Sequence, residues 1–208
     1  SLVGSEMCLR DRDSIVGGKA VHEYRKKLGE QLSKEMKIEA DLVSAVPDSG
    51  VPAAIGYSNE SNIAYDMGII RNHYVGRTFI EPTQQIRQLG VKLKHNPNKE
   101  IIKNKRIILV DDSIVRGTTS KKIVDMLYNA GAKEIHLCIS SPPIKYPDYY
   151  GIDTPNIKDL IAANHSVKEI QKIIGVDTLQ FLSIDGLYRA LGFSCLLYTS
   201  PSPRDFTE

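Results

Sequence analysis

An α/β fold, with a parallel sheet flanked by helices on both faces, is the architecture this sequence predicts. Two observations carry that expectation. Short apolar runs at residues 42–46, 107–110 and 135–140 have the length and composition of buried strands. Stretches with helical spacing of apolar residues lie between and around them, and strands that alternate with helices favour parallel pairing.

Each element has its own local reason. Val21, Tyr24, Leu28, Leu32 and Met36 share one helical face, which predicts a first helix over residues 19–37. The strand at 42–46 runs into Pro47-Asp48-Ser49-Gly50, a turn that opens a helix near Pro52. Proline is tolerated there because a first-turn N–H has no intrahelical partner. Residues 71–98 carry many charges, two prolines and little periodicity, so they are expected to form a mobile excursion or lid. A strand at 107–110 and a helix over 121–129 follow, the helix burying Ile123, Val124, Met126 and Leu127 and stopping at Gly131. Ser166 and Glu169 have the spacing of a capping box, which opens a short helix ending at Gly175. No segment repeats.

The densest chemistry sits after the 107–110 strand. That strand leads into two adjacent carboxylates, Asp111 and Asp112, and then into a hydroxyl- and glycine-rich turn before the next helix. Backbone N–H groups at a helix start point at an anion, and the helix dipole favours negative charge there. Ser113, Thr118, Thr119 and Ser120 add hydroxyl donors, and Gly117 lets the backbone close around a phosphate. Asp111 and Asp112 suit sugar hydroxyls or a hard cation such as Mg²⁺. Carboxylates after a strand often only cap a helix. Acids, hydroxyls and glycine together between strand and helix favour a site for a phosphorylated sugar. Neither G-x-x-x-x-G-K-[ST] nor G-x-G-x-x-G occurs, so neither a P-loop nor a dinucleotide fingerprint is supported.

Bulk properties narrow the class. The 208 residues suffice for one sizeable core and are few for two full domains. The composition, 41% hydrophobic and 25% charged, is that of a globular chain, and a net charge of +2 makes no case for nucleic acid or membrane. The basic residues Lys92, Lys94, His95, Lys99, Lys103, Lys105 and Arg106 cluster, a pattern that usually marks a solvated face. No apolar run approaches the ~20 residues of a membrane span. Cys8, Cys138 and Cys195 are widely spaced and form neither a disulfide framework nor a CxxC site, which fits a reducing, cytoplasmic compartment.

Residues 110–119, Val-Asp-Asp-Ser-Ile-Val-Arg-Gly-Thr-Thr, resemble the 5-phosphoribosyl-1-diphosphate (PRPP) motif of type I phosphoribosyltransferases. Residues 46–54, 71–80 (Arg-Asn-His-Tyr-Val-Gly-Arg-Thr-Phe-Ile), 141–147 and 150–153 narrow the resemblance to the glutamine amidophosphoribosyltransferase family. It runs from about Asp13 to Gly192 and implies the type I phosphoribosyltransferase fold. It also implies a reaction: ammonia displaces diphosphate from C1 of PRPP, forming 5-phosphoribosylamine, the first step of purine synthesis. Longer members draw the ammonia from glutamine in an upstream domain. The resemblance therefore implies a phosphoribosyltransferase domain over 1–193 of an N-terminally truncated protein, a foreign tail over 194–208, and a homo-oligomer at full length.

Site roles come with the resemblance. Asp111 and Asp112 hold the ribose hydroxyls, directly or through Mg²⁺. Ser113, Arg116, Gly117, Thr118 and Thr119 surround the 5-phosphate, with Ser120 beside them. Pro47, Asp48, Ser49 and Gly50 match the diphosphate loop. Residues 71–80 match a loop that closes over PRPP, in which Arg71 and Arg77 neutralise diphosphate, Thr78 contacts substrate, and Tyr74 helps exclude water. Three positions depart from the family pattern. Gly50 stands where some members place Ser on the metal side, and His73 where Arg is common. Asp148 stands where some members have an iron–sulfur ligand cysteine, so no such cluster is expected. Two other functions stay open, a phosphoribosyltransferase that uses a nucleobase and a PRPP-binding regulatory module without turnover.

Overall fold

The computed structural model describes residues 15–16, 19–71, 95–146 and 157–192. Strands β1 (Ile15–Val16) and β2 (Lys19–Ala20) pair antiparallel and lead into helix α1 (Val21–Glu35). Strand β3 (Leu42–Ala45) is followed by helix α2 (Val51–Ser61), with proline in its first turn. Strands β4 (Ile69–Arg71) and β5 (His95–Pro97) pair antiparallel, and a short helix α3 (Lys99–Ile102) follows. Strand β6 (Arg106–Asp111), helix α4 (Thr118–Asn129) and strand β7 (Glu134–Ile139) come next. Helices α5 (Ile161–Asn164) and α6 (Val167–Ile174), strand β8 (Thr178–Phe181) and helix α7 (Ile184–Leu191) complete the described chain.

The central sheet has the order β3-β6-β7-β8, and every neighbouring pair is parallel. Ala45 stands beside Val110, Val110 beside Cys138, and Ile139 beside Phe181. All carboxyl ends therefore emerge at one edge. Alternation along the strands divides the core. Ile107, Leu109, Leu137 and Ile139 pack with Ile123, Leu127, Ile170 and Ile174. Val43, Ile108, Val110 and Cys138 pack on the other side with Leu28, Leu32, Ala54 and Tyr57. Each fully buried Leu or Ile side chain stabilises the fold by about 1.5–3 kcal/mol. α1 and α2 touch backbone to backbone: a Cβ on Gly29 would lie 1.8 Å from the Ala53 carbonyl oxygen, and one on Gly56 1.9 Å from that of Lys26. Burial pushes the Cys138 thiol up to about 12, so it is an inert core residue. Among the described residues no helix is long and apolar enough to cross a membrane.

Several expectations are corrected. Met36 lies beyond the end of α1 and is 39% exposed, and Met126 is only partly buried. α4 begins at Thr118, three residues before the expected start, because Gly117 at φ 74 turns the chain and Lys121 N–H already bonds the Gly117 carbonyl at 2.9 Å. The charged stretch 71–98 has paired strands at its two ends, β4 and β5. Its interior, 72–94, lies outside the described residues, as do the tail 194–208 and the iron–sulfur position at 148.

Candidate active site

Two loops from adjacent parallel strands build the site. The first, 46–50, leaves β3. Val46 N–H donates to the Val110 carbonyl at 2.9 Å, which carries the β3–β6 pairing one residue past the strand, and Gly50 N–H closes the loop onto Val46 O at 3.0 Å. The Pro47–Asp48 peptide is cis. Ser49 Oγ lies 3.5 Å from Asp111 Oδ1, so the tip of this loop reaches the acid that ends β6.

The second loop, 112–117, joins β6 to α4. Asp111 is the last residue of the strand and is 8% exposed. Its Oδ1 accepts the Asp112 N–H at 2.8 Å, and Ser113 Oγ lies 3.4 Å from Asp112 Oδ1. The Asp111 carbonyl accepts from both Ser140 N–H, at 2.9 Å, and Ser140 Oγ–H, at 3.2 Å. Burial, and then the Asp112 carboxylate beside it, push the Asp111 carboxyl well above the usual range. The two acids are thus unequal. Asp111 is enclosed, and Asp112 is the more accessible partner.

The segment around α5 backs this loop. Ile161 N–H donates to the Val115 carbonyl at 2.9 Å, and Arg116 pairs with Asp159 at 3.6 Å. A Cβ on Gly117 would meet Ile161 Cδ1 at 2.8 Å. With its carbonyl side anchored, the loop leads into the N-terminal turn of α4, where Thr118 and Thr119 are exposed. Unpaired N–H groups at such a turn hold an anion.

The structure gathers Pro47, Asp48, Ser49, Gly50, Asp111, Asp112, Ser113, Gly117, Thr118 and Thr119 at one edge of the sheet. Ser120 is 7% exposed on the core side of α4, about as enclosed as Asp111 at 8%. Arg71 pairs with Asp48, and Arg116 with Asp159. Tyr74, Arg77 and Thr78 lie outside the described residues, as does His73. Ser140, Asp159 and Ile161 escape sequence inspection, since their contacts span tens of residues and no local pattern marks them. Among the described residues no group of three or more His, Cys, Asp or Glu side chains is clustered for a metal.

Two loops on neighbouring strands meet at an acidic pair, and the stretch of chain that holds them matches a known family. The description "Phosphoribosyl transferase domain" fits residues 13–154. This chain belongs to the phosphoribosyltransferase domain family. The domain is 59% identical over 181 residues to the amidophosphoribosyltransferase of Rhizobium etli, covering 86% of this chain and 36% of that protein. It is 53% identical over 180 residues to the amidophosphoribosyltransferase of Bacillus subtilis, covering 86% of this chain and 38% of the relative. The solved B. subtilis glutamine PRPP amidotransferase, complexed with ADP and GMP, superposes on the phosphoribosyltransferase domain with a TM-score of 0.83 at 50% identity, over 91% of this chain and 42% of that one. The chain thus spans less than half the length of these relatives. The fold is that of type I phosphoribosyltransferases, as its motifs predict.

Proposed function

We propose that this domain transfers ammonia to C1 of PRPP, releasing diphosphate and forming 5-phosphoribosylamine, with glutamine as the ammonia source in the longer protein. The observation that carries this reading is the placement of loops 47–50 and 112–117 at the carboxyl ends of adjacent parallel strands, with Asp111 and Asp112 where the second loop leaves β6 and Ser49 of the first loop 3.5 Å from Asp111. A substrate with a phosphate at C5 and a diphosphate at C1 needs two anion-binding loops separated by a ribose-binding group. The N-terminal turn of α4 takes the 5-phosphate on backbone N–H groups, with Ser113, Thr118 and Thr119 hydroxyls around it. Asp112 and Asp111 hold the ribose hydroxyls. Loop 47–50 receives the diphosphate, with Arg77, Thr78 and Tyr74 as further substrate contacts.

Fixing both ends of the substrate presents C1 to ammonia along the line of the departing oxygen, which removes much of the entropic cost. The nitrogen lone pair forms the new C1–N bond as the C1–O bond breaks. Its electron pair leaves with diphosphate, and the nitrogen then loses a proton. The donor set fits Mg²⁺, which is held by one or two carboxylates and completes its shell with phosphate oxygens and water. Asp112 and Asp111 would hold it, and the enclosed Asp111 carboxylate gains from a nearby cation because burial disfavours its charge. When bound, the ion supplies charge neutralisation for the leaving diphosphate. The cysteine pattern supports a cytoplasmic setting, and we place the longer protein there as a homo-oligomer.

The test is to incubate the chain with PRPP, Mg²⁺ and either ammonia or glutamine, and to follow diphosphate release. Release with ammonia and not with glutamine is expected. PRPP binding without release under ammonia would favour the regulatory-module reading and overturn this one.

A further inference from the structure

Arg71 and His95 stand directly opposite each other in the β4–β5 pair. Both reach the same loop. The Arg71 guanidinium pairs with Asp48 Oδ2, and His95 Nε2 lies 3.4 Å from the Pro47 carbonyl oxygen. A carbonyl only accepts, so Nε2–H is the donor. The other ring nitrogen, Nδ1, is buried with no hydrogen-bond partner among the described residues. The contacts span 23 and 48 positions of sequence and converge on two consecutive residues.

We propose that Arg71 and His95 are positioning residues of loop 47–50, and that Arg71 acts through Asp48 and not on the diphosphate. The inference rests on the assignment of this loop to diphosphate. Asp48 places a negative charge in a loop that must receive a polyanion, and like charges at close range oppose binding. Arg71 cancels that charge in place. A guanidinium held by a carboxylate also fixes the direction of the Asp48 side chain, because its planar fork accepts few geometries. His95 fixes the preceding carbonyl. With both ends of the Pro47–Asp48 unit held from β4 and β5, the N–H groups of Asp48 and Ser49 keep one orientation, while Gly50 N–H stays on the Val46 carbonyl at 3.0 Å. Backbone amides that are pre-oriented bind an anion without reorganisation.

A double-mutant cycle separates direct from indirect action. Arg71→Gln, Asp48→Asn and the double variant are compared for binding of inorganic diphosphate with Mg²⁺ by titration calorimetry. Hydrogen exchange of the 48–50 amides is followed without ligand. Arg71→Gln is expected to weaken diphosphate binding by about tenfold or more, and the double variant to bind within about threefold of Asp48→Asn alone. Without ligand, Arg71→Gln and His95→Leu are expected to speed exchange of the 48–50 amides, and Arg71→Lys, which keeps the charge and loses the planar fork, to speed it less than Arg71→Gln. An equal loss from Arg71→Gln in both backgrounds would mean that Arg71 grips the diphosphate itself, and the inference would be wrong. Unchanged exchange in Arg71→Gln and His95→Leu would also overturn it. If the parent binds no diphosphate, the assignment of the loop fails, and the exchange comparison still decides whether the two residues position it.

Discussion

Gly50 packs against the carbonyl of Val110, the residue before the acidic pair: a Cβ at this position would lie 2.4 Å from that oxygen and 3.0 Å from the carbonyl oxygen of Val46. Both obstacles are backbone, so no side chain can swing aside. Gly50→Ala should push loop 47–50 away from β6 and destabilise the domain by about 1–3 kcal/mol. Urea denaturation at neutral pH measures it, and an unchanged midpoint would show that the loop yields freely. With no side chain, Gly50 can meet a bound ion only through its backbone.

Asp111 carries a pH dependence of definite sign. Its folded-state carboxyl is raised well above the ordinary carboxylate range, by burial first and then by Asp112. The native state therefore binds this proton more tightly than the unfolded chain does. Stability from that proton is fully present below the unfolded value and is lost as pH rises through the raised native one. Above the ordinary carboxylate range the unfolded chain gives up this proton freely, whereas the folded domain must either keep it or bury a charge, and both cost stability. Asp111→Asn keeps an oxygen for the Asp112 N–H, which donates at 2.8 Å, and removes the charge. Its melting midpoint should exceed the parent's at about pH 7, with the gain shrinking toward about pH 4. A gain that grows on acidification would contradict the buried-carboxylate account.

The same substitution, and Asp112→Asn, should impair PRPP use. Loss of a charge-assisted hydrogen bond to a ligand costs about 1.5–3 kcal/mol. Steady-state kinetics with ammonia read this directly. Parent-like kinetics in both variants would remove the acids from the site.

Gly117 answers to two constraints that can be separated. Its φ of 74° disfavours any L side chain, and a Cβ would lie 2.8 Å from Ile161 Cδ1. Gly117→Ala should cost about 1–2 kcal/mol from the backbone alone, with the contact adding to it. Relative to Ile161→Ala, the double variant should lose less than Gly117→Ala loses relative to the parent, since only the contact is relieved. Equal losses in the two backgrounds, by urea denaturation, would mean that Ile161 already moves aside.

The capping box gives a simpler test. Ser166 Oγ accepts the Glu169 N–H at 3.4 Å, and Glu169 Oε2 accepts the Ser166 N–H at 2.7 Å. Ser166→Ala should lower stability by about 1 kcal/mol, and thermal denaturation without ligand would register it.

The sequence by itself determines whatever depends on near neighbours. The α/β class follows from short apolar runs between helical periodicities, and α6 follows from Ser166 and Gly175, its two caps, with Glu169 in its first turn. The acidic pair is legible because a strand, two carboxylates and a glycine-hydroxyl turn are contiguous. Local composition misleads where hydroxyl residues form a helical turn. Thr118, Thr119 and Ser120 resemble loop, yet the conformation of Gly117 starts α4 at Thr118. It also hides β4 and β5, which at three residues each are too short to show an alternating pattern. Only the tertiary structure brings Ser49 to Asp111 across 62 positions, Ser140 across 29, and Ile161 to the back of the phosphate loop. Periodicity records which face of an element is apolar, a relation between residues two to four apart. It does not record which strands adjoin, and parallel adjacency is what places both loops and the acids at one edge of the sheet.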